Sequence, residues 1–222
     1  MKKVNSYYFS VEGENEQWYF EHLQKLINSS NEAVFNVKFN IKKDKSPLSR
    51  IKSITIPVYA NKKLPVFHIV DYESNDSEHA TQFSNLLDEL KTIRNKRSAY
   101  KYKLGYSNFA FELWLILHKR ICNFSVEDRS KYVQNINTLY GTDFTKLKDN
   151  KNKETFDKLL NQITLEDVKV AIRNSRKIRI YQEEIGNSMI EYKGFKYYKD
   201  NPDLTINECV EIIFSECGIN FD

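Results

Sequence analysis

In Tyr7-Tyr8-Phe9-Ser10-Val11-Glu12-Gly13-Glu14-Asn15-Glu16 an apolar strand runs directly into a carboxylate, a glycine and the acidic start of a helix. That order puts an acid at the carboxyl end of a strand, the edge of an open α/β sheet where ligands bind. A second apolar strand, Val66-Phe67-His68-Ile69-Val70, ends the same way in Asp71-Tyr72-Glu73. Two acid-tipped strands predict a shared cation site.

The neighbouring segments extend this pattern. Residues 6–11 read as the first strand, and Asn15 to Ile27 as a helix capped by Asn15, with Trp18, His22, Leu23, Leu26 and Ile27 on one face. Val34 to Ile41 mostly alternates apolar with polar, which predicts a second strand. Pro47 opens a weaker helix reaching about Ala60. Pro65 to Val70 is apolar almost throughout, as in a parallel strand covered on both faces, and so is expected at the sheet's centre. A helix from Ser77 to about Arg97, a strand over Tyr100 to Tyr106, and a helix over Phe109 to Ile121 follow.

This alternation predicts an α/β fold over residues 1–121, with a mainly parallel four-stranded sheet. Residues 122–222 are expected to form a helical extension packed on it. Helices are predicted over Ser125–Tyr140, Lys153–Ile163 and Thr164–Ile185, then a Lys- and Tyr-rich loop to Asp203 and a last helix opening at Leu204-Thr205.

With 41% hydrophobic residues, 6 Gly and 4 Pro among 222, the chain is packed rather than disordered. No apolar run approaches the roughly 18–20 residues of a bilayer crossing, and Met1-Lys2-Lys3 leads into a strand rather than a signal peptide. A cytoplasmic location without membrane contact is the expectation. Cys122, Cys209 and Cys217 lack paired-ligand spacing and read as small core residues.

The net charge of +4 is modest, but the cations are bunched. Lys38 to Lys63 carries one acid, Asp44, while Lys91 to Lys103 and Lys169 to Arg179 carry none; acids gather at Glu12–Glu21 and Asp71–Glu89. Basic stretches beside an acidic centre suit a phosphate backbone led to a metal-holding site. The plain alternative is a set of solvated lysines.

Phosphodiester cleavage calls for divalent cations, held by hard oxygen ligands, to neutralise charge. Mg²⁺ (or Mn²⁺) takes one or two protein carboxylates, which Asp71 and Glu73 can supply, with Glu12 completing the shell or acting as general base. Glu16 either compensates the helix dipole or joins the metal shell. Glu112, in an otherwise apolar helix, must be paired, exposed or functional: it is a catalytic-site residue that supports or adds to the metal ligands, or it makes a structural contact with a basic residue such as Lys119 or Arg120. His118 reads as a structural histidine. Arg173, Arg176, Lys177 and Arg179 recur on more than one helix face, and some are expected to meet phosphate.

Glu12-Gly13-Glu14-Asn15-Glu16 with Tyr19-Phe20, then Asp71-Tyr72-Glu73, then Ser107-Asn108-Phe109-Ala110-Phe111-Glu112-Leu113-Trp114-Leu115-Ile116-Leu117-His118 resemble the RloB family, a branch of the TOPRIM nucleases. Ala171-Ile172-Arg173-Asn174-Ser175 and Asn201-Pro202-Asp203-Leu204-Thr205 are similar to its closing motifs. The resemblance implies a Rossmann-like TOPRIM fold, acid or base chemistry at Glu12, Mg²⁺ on Asp71 and Glu73, and a family glutamate at Glu112. It further implies a Mg²⁺-dependent nuclease acting on DNA or RNA as the toxic effector of bacterial anti-phage defence, with an ATPase partner of ABC or AAA type; a homodimer is also admitted. Two positions depart from the family pattern: Glu73 replaces the second aspartate of D-x-D, and Asn15 stands where threonine is common. The competing expectation is a non-catalytic TOPRIM-like module that binds nucleic acid or regulates a partner. The first loop has no G-x-G-x-x-G pattern or P-loop lysine, so any ATP use falls to a partner.

Overall fold

The computed structural model describes residues 2–54, 63–74, 76–95, 100–126, 129–144 and 152–222. Strand β1 (Val4–Val11) sends Tyr7, Phe9 and Val11 into one core and leads into helix α1 (Glu14–Ser29), which buries Tyr19, Phe20, Leu23 and Ile27. The helix begins one residue before Asn15, with Gly13 at its cap; Asn15 therefore lies in the first turn and does not cap it. Gly13 has a packing reason. A Cβ there would stand 2.8 Å from Glu16 Oε2, so the missing side chain lets Glu16 fold back over the turn.

Strand β2 (Asn36–Lys43) pairs in parallel with β1 from Val4↔Asn36 to Val11↔Lys43. The Ser46 hydroxyl caps α2 (Pro47–Lys52), and the expected continuation to Ala60 lies outside the described residues. Strand β3 (Leu64–Asp71), helix α3 (Ser77–Asn95) and strand β4 (Tyr100–Asn108) follow; the expected end of α3 at Arg97 is likewise outside. Helix α4 is the short run Glu112–Leu117 rather than the longer helix expected to Ile121. Then come α5 (Ser130–Tyr140), α6 (Lys153–Leu160) and α7 (Leu165–Glu184), the last opened by a reciprocal capping box between Thr164 and Asp167.

The segment expected as a loop to Asp203 instead holds a hairpin, β5 (Ile190–Tyr192) against β6 (Phe195–Tyr197). Strand β7 (Asp203–Leu204) precedes the last helix, α8 (Ile206–Cys217). The main sheet runs β2-β1-β3-β4-β7. Its first four members are parallel, with β3 in the middle as its apolar sequence demands, and β7 pairs antiparallel through Ser107↔Leu204 and Asn108↔Asp203. The four-stranded expectation is thus corrected to five. Two residues are too few to show alternation.

Each sheet face has its own core. Tyr7, Phe9, Phe67 and Ile69 pack with α1, α4, α7 and α8, so residues beyond 121 share a core with the first strand. On the other face Val66, Val70, Tyr102 and Leu104 meet Phe83, Leu87 and Leu90 of α3. Helix α8 sits close to β4 because Gly105 has no side chain: a Cβ there would meet Ile69 Cδ1 at 2.8 Å and Cys209 Sγ at 3.1 Å. The three cysteines are buried free thiols. Among the described residues no helix is long and apolar enough to cross a membrane.

Candidate functional site

In the order 2-1-3-4, the chain reverses direction across the sheet between β1 and β3, and the carboxyl ends of those strands flank the crevice where ligands of such sheets bind. Glu12 follows β1 and Asp71 ends β3. The two touch: the Asp71 backbone N–H donates to Glu12 Oε2 at 3.0 Å. Asp71 Oδ1 accepts from the Ser107 hydroxyl at 3.0 Å, on the neighbouring position of β4, and Oδ2 accepts from Arg129 Nη2 at 3.3 Å. Glu12 Oε1 lies 3.5 Å from Lys45 Nζ.

Glu73, one position beyond Tyr72, has left-handed backbone (φ 61), and its N–H donates to the Phe109 carbonyl. Its carboxylate meets His79 Nε2 at 2.7 Å and Arg129 Nη1 at 3.9 Å. The other ring nitrogen of His79 is 2.5 Å from Asp76, which holds the imidazole above its usual pKa. Glu16 and Glu112 complete the cluster from α1 and the start of α4, and both are buried. Burial, then the nearby Glu112 and Glu12 charges, push the Glu16 carboxyl up to about 7. Asp71 is pushed well above the usual carboxylate range by burial and by Glu16 and Glu112, while Arg129 pulls the other way. The cluster thus gathers more carboxyls than its cations offset, and burial with mutual repulsion favours the protonated form of Glu16 and Asp71. Among the described residues, no three His, Cys, Asp or Glu side chains converge closely enough to hold a metal as they stand. A cleft of about 320 Å³ opens beside Glu12, Asp71 and Glu73, floored by Val70, Phe83 and Leu86 and edged by Lys45 and His79.

The C-terminal cations lie elsewhere and are largely spent. Arg173 pairs with Glu166, Arg176 with Glu211 and Asp222, and Arg179 grips the buried Asp203 through Nε and Nη2 at 3.0 and 3.1 Å. Lys177 is exposed and has no ion pair among the described residues. His118 is enclosed, its ring nitrogens bonded to the Trp114 carbonyl and the Tyr19 hydroxyl. The closing motifs brace the fold: the Asn174 amide donates to the Leu117 carbonyl, and Asn201 exchanges hydrogen bonds with the Val126 backbone.

Sequence reasoning missed Arg129, Lys45, His79 and Ser107. Lys45 was visible only as one member of a basic run. Ser107 stood inside a quoted motif but carried no role until pairing with β3 set it beside Asp71.

These features define an open α/β protein with a carboxylate-lined ligand crevice at the point where strand order reverses. The chain matches the family described as RloB-like protein over residues 7–213, nearly its whole length, and it belongs to that family. No curated protein and no solved structure matches it.

Proposed function

We propose that the chain is a divalent-cation-dependent nuclease of TOPRIM type, cleaving phosphodiester bonds of DNA or RNA as the toxic effector of an anti-phage system with an ATPase partner. The observation that carries this reading is the direct hydrogen bond joining Glu12 to Asp71 at the crevice, with Glu16 set electrostatically against both and Glu112 against Asp71. The donors fit Mg²⁺ or Mn²⁺: they are hard oxygens, and a divalent ion would replace the protons that burial and mutual repulsion favour on Asp71 and Glu16. Asp71 and Glu73 would hold it, with Glu12 and Glu16 adjoining. When bound, the ion supplies charge neutralisation at the phosphate and an acidified water.

The residues of the chain do the rest. Ser107 and Arg129 orient Asp71. Glu12, with one oxygen on the Asp71 amide and the other toward the cleft-lining Lys45, is placed to accept a proton from the attacking water. Lys45 stands where a phosphate oxygen would gain an electrostatic partner.

One observation favours a second reading, a module that binds without cutting. Glu12, Asp71 and Glu73 are each already met by Lys45, Arg129 or His79, and among the described residues no three His, Cys, Asp or Glu donors converge. A cleavage assay on mixed DNA and RNA, with and without Mg²⁺, separates the two. Glu12→Gln and Asp71→Asn are expected to lose at least about 100-fold in rate and to lose cellular toxicity, while remaining folded. If the parent never cleaves, or the variants cleave and kill as well as the parent, the nuclease reading fails.

A further inference from the structure

We propose that Arg129 is a cation built into the acidic cluster, holding Asp71 and Glu73 in place of a divalent ion and giving way when one binds. This rests on the metal-dependent reading above. The guanidinium spans the two carboxylates of the Asp71-Tyr72-Glu73 stretch, Nη2 at 3.3 Å from Asp71 Oδ2 and Nη1 at 3.9 Å from Glu73 Oε1. Those are the two acids that a divalent ion would take, so ion and arginine compete for the same charge.

Several features mark the arginine as the member able to yield. Asp71 keeps a second partner in the Ser107 hydroxyl and Glu73 keeps His79, so neither carboxylate is stranded when the guanidinium leaves. Among the described residues Arg129 Nε is buried with no hydrogen-bond partner, so within them the fork is used at one end only. Both its contacts exceed the roughly 2.7–2.9 Å of a strong charge-assisted pair. Arg179 makes the contrast: it spends Nε and Nη2 on Asp203 at 3.0 and 3.1 Å, and that carboxylate has no exposure at all. Arg129 is about a third exposed and stands just ahead of α5, at the rim of the cluster. Released from the carboxylates, its planar fork would have donors free to pair with a phosphate.

The test uses the full chain as parent, Arg129→Ala, Arg129→Gln and Asp71→Asn, with folding checked by circular dichroism. Mn²⁺ binding is read from the electron paramagnetic resonance of free Mn²⁺, and binding of a fluorescent single-stranded oligonucleotide is read in Ca²⁺. Removing the positive charge that competes for Asp71 and Glu73 should tighten Mn²⁺ binding at least about tenfold in both arginine variants. Oligonucleotide affinity should fall by about tenfold in the same proteins. A merely structural arginine would not produce opposite signs. Should Arg129→Ala fail to fold, Arg129→Gln, which keeps a hydrogen-bonding head, carries the comparison. Mn²⁺ affinity that is unchanged or weaker without Arg129, while Asp71→Asn still weakens it, overturns the proposal and leaves the metal-dependent reading standing. No Mn²⁺ binding by any of the four overturns both.

Discussion

His118 closes the Ser107-to-His118 motif, and replacing it with Gln should remove a defined part of the acid sensitivity of the fold. The Trp114 carbonyl can only accept, so Nδ1 carries the proton and donates at 2.8 Å, leaving Nε2 to accept from the Tyr19 hydroxyl at 2.9 Å. Burial pushes the imidazole down from 6.5 to about 4. The folded chain thus refuses a proton that the unfolded chain accepts. The stability held by the neutral ring is intact above about pH 6.5 and is lost progressively as pH falls toward 4. Between pH 7 and pH 5 that linkage amounts to about 2 kcal/mol for this one ring. Urea unfolding at the two pH values measures it, with His118→Gln retaining a donor for Trp114 and an acceptor for Tyr19 while losing the titration. His68, also buried and pushed down to about 3, is present in both proteins and cancels. The parent should lose about 2 kcal/mol more than the variant over that interval. Equal losses would refute the reasoning, and would return His118 to the list of groups able to carry a proton.

Two further outcomes follow from the packing. Arg179→Ala strands the buried Asp203 carboxylate and should cost about 3–5 kcal/mol in denaturant unfolding, whereas Lys177→Ala, on the exposed side of the same helix, should change stability by less than about 0.5 kcal/mol. Gly105→Val should cost at least about 1–3 kcal/mol in thermal unfolding, because its Cβ would press on Ile69, Cys209 and the backbone of Ile206; a neutral result would mean that α8 can move off the sheet.

Much of this molecule was readable in the chain because the signals were local and repeated. The apolar run Pro65–Val70 placed β3 at the sheet's centre, and the acids ending β1 and β3 marked the crevice, since a parallel sheet sets such ends side by side. The helix starts were less legible. Asn15 is a good capping residue, but Gly13 lets Glu16 bend back, and the cap lies at Gly13, two positions earlier. Strands of two or three residues, β5 to β7, show no alternation to detect. Arg129 was invisible for another reason: it reaches Asp71 across 58 residues of chain, and nothing beside it in sequence announces the meeting. The arginines near α7's end illustrate the converse. Their spacing shows the charge, but not that Glu166, Glu211, Asp222 and Asp203 are waiting for it.

Strand β7 has a consequence for how the protein is made. It pairs with Ser107, which supports Asp71, and with Asn108 beside it, yet it emerges from the ribosome almost a hundred residues later. A growing chain, or one cut short by a broken message, lacks that last clamp on the acidic edge. For a protein whose proposed activity is lethal to its own cell, this topology ties the clamping of the acidic edge to synthesis of a segment far downstream of the acids themselves.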